Sequence, residues 1–247
     1  MPIGYPLQPG HLSHQSLKPE WEGPEPYLFN IAGRFGRVQG ELHMTLNIYI
    51  ELHQHAYSSF RRRDDNIELM VKDLKAQASI SEEAQSDSED KIRKAYAKMS
   101  YINALDHDLT RSVRTINRMF VVALWALAEQ FLGKMFKEVV SFRTGIKLEK
   151  APYRWDDFKI QYANESLDLA TLHDYEIANE CRILNNCFKH AETVSNKLAA
   201  FAPYSTKIGA RLDDLDIDPP RYLNAISNFL GSLIENCNKA FLLEDEY

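Results

Sequence analysis

The chain is short of residues that break helices. Ten glycines and ten prolines are few in 247 residues, and Pro2, Pro6, Pro9, Pro19, Pro24 and Pro26 all fall before residue 27. The remainder lacks the regular turn signals of a many-stranded sheet. Cysteine is scarce: Cys181, Cys187 and Cys237 form neither a CxxC pair nor a zinc spacing, so no metal site is expected from them. An odd cysteine count without a signal peptide reads as a reducing, cytoplasmic setting. No uninterrupted apolar run approaches the roughly 18 residues that cross a bilayer, so no membrane association is expected. Basic excess is absent as well. A net charge of −6 excludes broad coating of nucleic acid but not a local basic cleft. The chain carries no glycine-rich phosphate loop, internal repeat, heptad run long enough for a coiled coil, or Ser-His-Asp order, and no cofactor is expected.

What is present is helical periodicity over a hydrophobic content of 45%, enough for a real core. Residues 1–27 read as a proline-rich extended arm, which Tyr5, Leu7 and Trp21 could tack onto the body. Residues 28–247 read as a single all-α domain. From Phe29 to Phe60, Phe35, Val38, Leu42, Leu46, Tyr49 and Leu52 are among the apolar positions, at intervals of three and four. His53 and His55 lie two apart, on different sides of a helix, and make a poor metal pair. Arg61-Arg62-Arg63 followed by Asp64-Asp65 reads as a solvated turn between helices. Helix resumes over Ile67 to Lys75, and the acidic, serine-rich stretch 79–90 reads as a loop or exposed helix tip.

The strongest periodic signal runs through Ile102, Leu105, Leu109, Val113, Ile116, Phe120, Leu124, Leu127 and Phe131. Beyond Met119 it is apolar nearly all round, which places that half at the centre of a bundle. Glu129 there would be buried unless it finds a partner. Arg111, Arg114 and Arg118 form a stripe at i, i+3, i+7, either a solvated face or a weak RNA-binding patch. Gly145, Pro152 and the aromatics from Tyr153 to Tyr162 read as a loop and short helix. Thr171 or Asp174 is the expected cap of the next helix, and a last helix is expected from Arg221 to about Leu243. The expected fold is an all-α bundle of six to eight helices.

The densest polar chemistry lies in Glu180-Cys181-Arg182-Ile183-Leu184-Asn185-Asn186-Cys187-Phe188-Lys189-His190. At about 100° per residue, Arg182, Asn186 and His190 drift only about 80° round a helix and share one face. Ile177, Leu184 and Phe188 occupy the other. A histidine moves protons near neutral pH, and an arginine holds phosphate oxygens with several donors. Phosphate chemistry is one reading of this face, and a plain solvated face is the other.

The helical stretch Val121 to Val140, containing Leu124-Trp125-Ala126-Leu127-Ala128-Glu129-Gln130-Phe131-Leu132, followed by Glu180-x-Arg182-x-x-Asn185-Asn186-x-x-x-His190, resembles the HEPN superfamily. The resemblance covers roughly residues 100 to 200. It implies a small all-α bundle, often a homodimer, of a kind common in bacterial toxin–antitoxin and antiphage systems, and in many members a metal-independent ribonuclease. The family motif is an arginine, a polar residue, several others and a histidine. Asn186 matches the polar position and His190 the histidine. Asn185 stands where the family has arginine, and Arg182 lies one turn earlier.

The resemblance therefore implies Arg182, Asn186 and His190 as catalytic residues, with Glu180, Asn185 and Lys189 in support. It implies RNA as substrate, and an antitoxin or other defence protein as a partner. A non-catalytic binding or regulatory module stays open beside this reading. Arg182 and His190 are roughly 12 Å apart along the helix, and Arg182 leans toward the N-terminus, away from His190. Two copies crossing antiparallel near Asn186 would set Arg182 of one level with His190 of the other.

Overall fold

The computed structural model describes residues 35–82 and 88–242, and among them the fold is all-α, with no strand. The expected arm over 1–27 and the centre of the acidic stretch, 83–87, lie outside the described residues. Six α-helices follow in order: α1 (Gly36–Glu82), α2 (Ser88–Thr144), α3 (Trp155–Asn164), α4 (Tyr175–His190), α5 (Asn196–Ala199) and α6 (Pro219–Leu242).

The first two are long, at 47 and 57 residues, or about 70 and 85 Å at 1.5 Å per residue. The turn expected at Arg61–Asp65 does not form, and α1 runs through it unbroken. No glycine or proline stands there to end the helix; Arg61, Arg62, Arg63 and Asp65 are exposed, and Asp64 is half-buried. His53, Phe60, Ile67 and Leu74 step by seven along α1 and are all buried. Phe60, Ile67 and Leu74 pack with Ile102 and Leu109 of α2 in a core cluster separate from the main one. Polar groups intrude on this contact: His53 is buried, and Asp64 and Asp106 are half-buried. His55 is exposed, so the two histidines do face different sides.

The second half of α2 is the centre of the bundle. Val121, Leu124, Trp125, Ala128, Leu132 and Val139 are almost wholly enclosed, packed among α1, α4 and α6. A window in α2 is long and apolar enough by composition to cross a bilayer, although no uninterrupted run is. About 61% of that window is buried inside the fold, as expected of a core helix. Glu129 does not lie buried there. It is exposed, and Trp125 donates its indole N–H to the carboxylate one turn away at 2.8 Å. Gly133 lets the segment before α3 come close, since a Cβ there would stand 3.2 Å from the Ala151 side chain. Tyr162 of α3 then donates its hydroxyl to the Leu132 carbonyl at 2.7 Å.

Asp174 precedes α4, as expected, but its side chain does not cap the helix. Its backbone is left-handed (φ 55°) and its carboxylate accepts from Asn228 of α6 at 2.7 Å. Thr171 sits in a short 3-10 turn instead. α6 starts at Pro219, two residues before the expected start, with proline at its first position, where no N–H is needed.

Candidate functional site

α4 has a sharply divided surface. Ala178, Cys181, Leu184 and Phe188 are buried against the bundle. Tyr175, Asn179, Arg182, Asn186 and His190 follow at i, i+4, i+7, i+11 and i+15, within an arc of about 80°. All five line one cleft of roughly 670 Å³. Its other walls come from Trp155, Asp156 and Lys159 of α3, and from Ser195 and Lys197 at the start of α5. Arg182, Asn186 and His190 therefore share one face, and that face opens into a concave site.

The arginine is held firmly. Its Nε and Nη2 donate to Asn179 Oδ1 at 3.0 and 2.9 Å. Its guanidinium lies over Trp155, 5.4 Å from the ring centroid. Trp155 is itself fixed, edge-on to Trp125 at 5.5 Å and stacked on Tyr175 at 6.1 Å. Burial lowers the Arg182 pKa, while Tyr175, Asp156 and Glu129 act to raise it. An arginine remains cationic throughout the physiological range. As its bond to Asn179 requires, Arg182 leans back toward the N-terminus and away from His190, which is exposed in the last turn of α4.

Charge in the cleft differs in sign from the chain as a whole. Arg182, Lys159 and Lys197 stand against the single carboxylate of Asp156, in a protein of net charge −6. Lys159 bonds Asp156 at 2.9 Å, and that bond and the lysine charge hold the Asp156 pKa low. Cys187 reaches the wall, with its Sγ 3.4 Å from Ser195 Oγ. All three cysteines are free and buried.

The expected supporting residues sit elsewhere. Glu180 is buried and turned toward α6, where Arg221 and Tyr222 hold it. Asn185 is buried too. It reaches only the neighbouring Asn186 side chain, at 3.4 Å, and its own Oδ1 has no hydrogen-bond partner among the described residues. Lys189 is exposed and does not line the cleft. The arginine stripe of α2 is largely tied up within the chain. Arg118 bonds Asp213 at 2.8 Å, donates to the Phe188 carbonyl at 2.9 Å and stacks over the Phe188 ring. Arg118 thus satisfies a carbonyl in the last turn of α4. Arg114 lies 3.6 Å from Asp214, and Arg111 is exposed.

Nothing in the sequence alone singles out Asn179, Tyr175, Lys159 or Lys197, and Trp155 reads there only as part of a connector. The one faint signal is the i, i+3 spacing of Asn179 and Arg182. The lysines come from other elements and share no period with α4. Among the described residues no three His, Cys, Asp or Glu side chains gather as a metal-binding group. No family model, curated protein or solved structure matches this chain.

Proposed function

We propose that the chain is a HEPN-like, metal-independent endoribonuclease whose active site is the α4 cleft. The observation that carries this reading is the alignment of Arg182, Asn186 and His190 along one open, locally cationic cleft on an acidic protein. Three cations suit a polyanion, and the stacking of Trp155 in the α3 wall on Tyr175 of α4 makes the cleft rigid. In the proposed reaction His190 removes the proton from a ribose 2′-hydroxyl. The freed oxygen attacks the adjacent phosphorus, the bond to the 5′-oxygen breaks, and that oxygen takes up a proton. A 2′,3′-cyclic phosphate and a 5′-hydroxyl result. Arg182 stabilises charge on the phosphate as the phosphorus becomes crowded.

The same proposal makes the protein a homodimer paired through α4. Arg182 is drawn back toward Asn179, away from its own His190. An antiparallel copy crossing near Asn186 supplies a His190 level with it. Asn186, Lys189 and His190 are exposed and available for such pairing.

A second reading is RNA binding without cleavage. Asn185 favours it, because the position where the resemblance has arginine is buried and uncharged. One experiment separates the two. Purified full-length protein is incubated in EDTA with end-labelled single-stranded RNA, beside His190→Ala. The nuclease reading expects cyclic-phosphate ends and a rate lower by about a hundredfold or more in the variant. Equal rates in the two proteins overturn it. Tight binding with no cut product favours the binding module.

A further inference from the structure

Arg182 is gripped along one edge only. A guanidinium carries five N–H donors in a rigid plane. Asn179 Oδ1 takes one from Nε and one from Nη2, at 3.0 and 2.9 Å. The two Nη1 hydrogens and the second Nη2 hydrogen make no hydrogen bond to any described residue. Together these form the outer fork, the geometry that accepts two oxygens of a phosphate side by side.

The plane of that fork is set before any ligand arrives. The guanidinium carbon sits over the Trp155 ring, 5.4 Å from its centroid, and Trp125 and Tyr175 immobilise Trp155. Asn179, one turn back on the same helix, sets the rotation within the plane. A free arginine side chain would lose much of its rotamer freedom on binding, whereas one already held loses little more. Lys159 and Lys197 face the same space from other elements, with Asp156 as the lone opposing carboxylate.

We propose that Asn179 is a positioning residue for an anion site in this cleft: it holds the inner edge of Arg182 so that the outer fork takes a backbone phosphate of RNA. The proposal rests on the assignment of the cleft to RNA and adds the group that orients its arginine. Asn179 acts through Arg182 and does not touch the reacting atoms. A carboxylate could fill the same fork, but two further cations beside it, Lys159 and Lys197, suit the repeated charge of a nucleic-acid backbone better.

The test compares full-length wild type with Asn179→Leu, which keeps bulk but loses the acceptor, and Asn179→Asp, which keeps an acceptor oxygen. The Arg182 Nε–H signal is assigned by NMR through its loss in Arg182→Lys. It is then followed during titration with inorganic phosphate, acetate and a fluorescein-labelled single-stranded RNA. In wild type the signal is expected to be protected from exchange and to move with phosphate and RNA more than with acetate. Asn179→Leu should lose the protection and bind the RNA about tenfold more weakly, the scale of a lost hydrogen bond to a charged group. Asn179→Asp should restore the protection. A folded Asn179→Leu with wild-type RNA affinity overturns the proposal. So does a wild-type signal that neither phosphate nor RNA moves, a reading that holds even if Asn179→Leu fails to fold. Stronger movement with acetate than with phosphate overturns the phosphate assignment. RNA that binds through Arg182 but is never cut defeats the nuclease reading and leaves this one standing.

Discussion

Arg221 grips the buried carboxylate of Glu180 through both terminal nitrogens, at 2.7 and 2.6 Å. The Tyr222 hydroxyl donates to the same carboxylate at 2.5 Å. With that hydrogen committed, Tyr204 is the donor in the 2.6 Å contact between the two tyrosines. Burial raises the pKa of both tyrosines, that of Tyr204 to about 12, and hydrogen bonding to Glu180 raises that of Arg221. The network bolts α4 to α6 on the side of the helix away from the cleft, and so fixes the rotation that turns Arg182, Asn186 and His190 outward.

Glu180→Ala should therefore lower stability by about 3 kcal/mol, the low end for breaking a buried pair. Arg221 is 30% exposed and can partly rehydrate, which argues against a larger cost. The shift in the urea midpoint at unchanged slope measures it. A loss below about 0.5 kcal/mol would show that the network contributes little.

His53 predicts a pH dependence. Its Nε2 lies 3.3 Å from Asn117 Oδ1, and its Nδ1 is buried without a hydrogen-bond partner among the described residues. Burial lowers its pKa below 6.5, although the Asn117 contact acts the other way. The unfolded chain thus accepts a proton that the folded state resists. Stability from this group is complete above about pH 6.5 and falls as pH drops below it. Asp64 works in the opposite sense, because its pKa is raised from 3.8 to about 6 by burial and by Glu68, Asp106 and Asp65. The measurement is consequently a difference: the change in urea midpoint between pH 7.5 and pH 5.5 in wild type and in His53→Gln. The fall should be smaller in the variant, and identical falls would reject the assignment.

Asp64 and Asp106 face each other across the α1–α2 seam as like charges, both half-buried. Asp64→Asn should stabilise the protein at neutral pH by a few tenths to about 1 kcal/mol, the scale of a relieved like-charge pair near solvent. The gain should shrink as pH falls through 6 toward 3.8, where the wild-type carboxyl takes up its proton. Thermal melts across that range provide the check, and a gain independent of pH would point to another cause.

The proposed pairing makes a prediction about subunit mixtures. Light scattering should give a dimer at micromolar concentration. Arg182→Ala and His190→Ala should each be inactive alone. After subunit exchange, a mixed dimer contains one site with both groups and one with neither, so part of the activity should return. No recovery despite demonstrated exchange would place both groups in one chain's cleft.

Helix periodicity alone determined much of this protein. The all-α class, the central position of α2 beyond Met119 and the shared face of Arg182, Asn186 and His190 follow from the 3.6-residue repeat, which is a property of neighbours along one helix. Where such local signals were weak, the reading failed in identifiable ways. The charged run Arg61–Asp65 resembles a turn by composition, yet nothing in it terminates a helix, and α1 continues because its buried positions on both sides find α2. The contact between α1 and the first half of α2 is also harder to read, because His53, Asp64 and Asp106 put polar groups among its buried positions.

Tertiary structure alone decided which polar residues of α4 face solvent and which serve the fold. Glu180 and Arg182 are two residues apart, but one meets Arg221, 41 positions away in the chain, and the other meets Trp155 on α3. The cleft has the same character. Its floor is one helix face, while its walls come from α3 and the start of α5, joined to α4 only by packing. A periodic signal decays within a single element, and a concave site needs several elements to converge. That convergence is set by buried contacts such as Tyr162 with Leu132 and Trp155 with Trp125, which no spacing along the chain encodes.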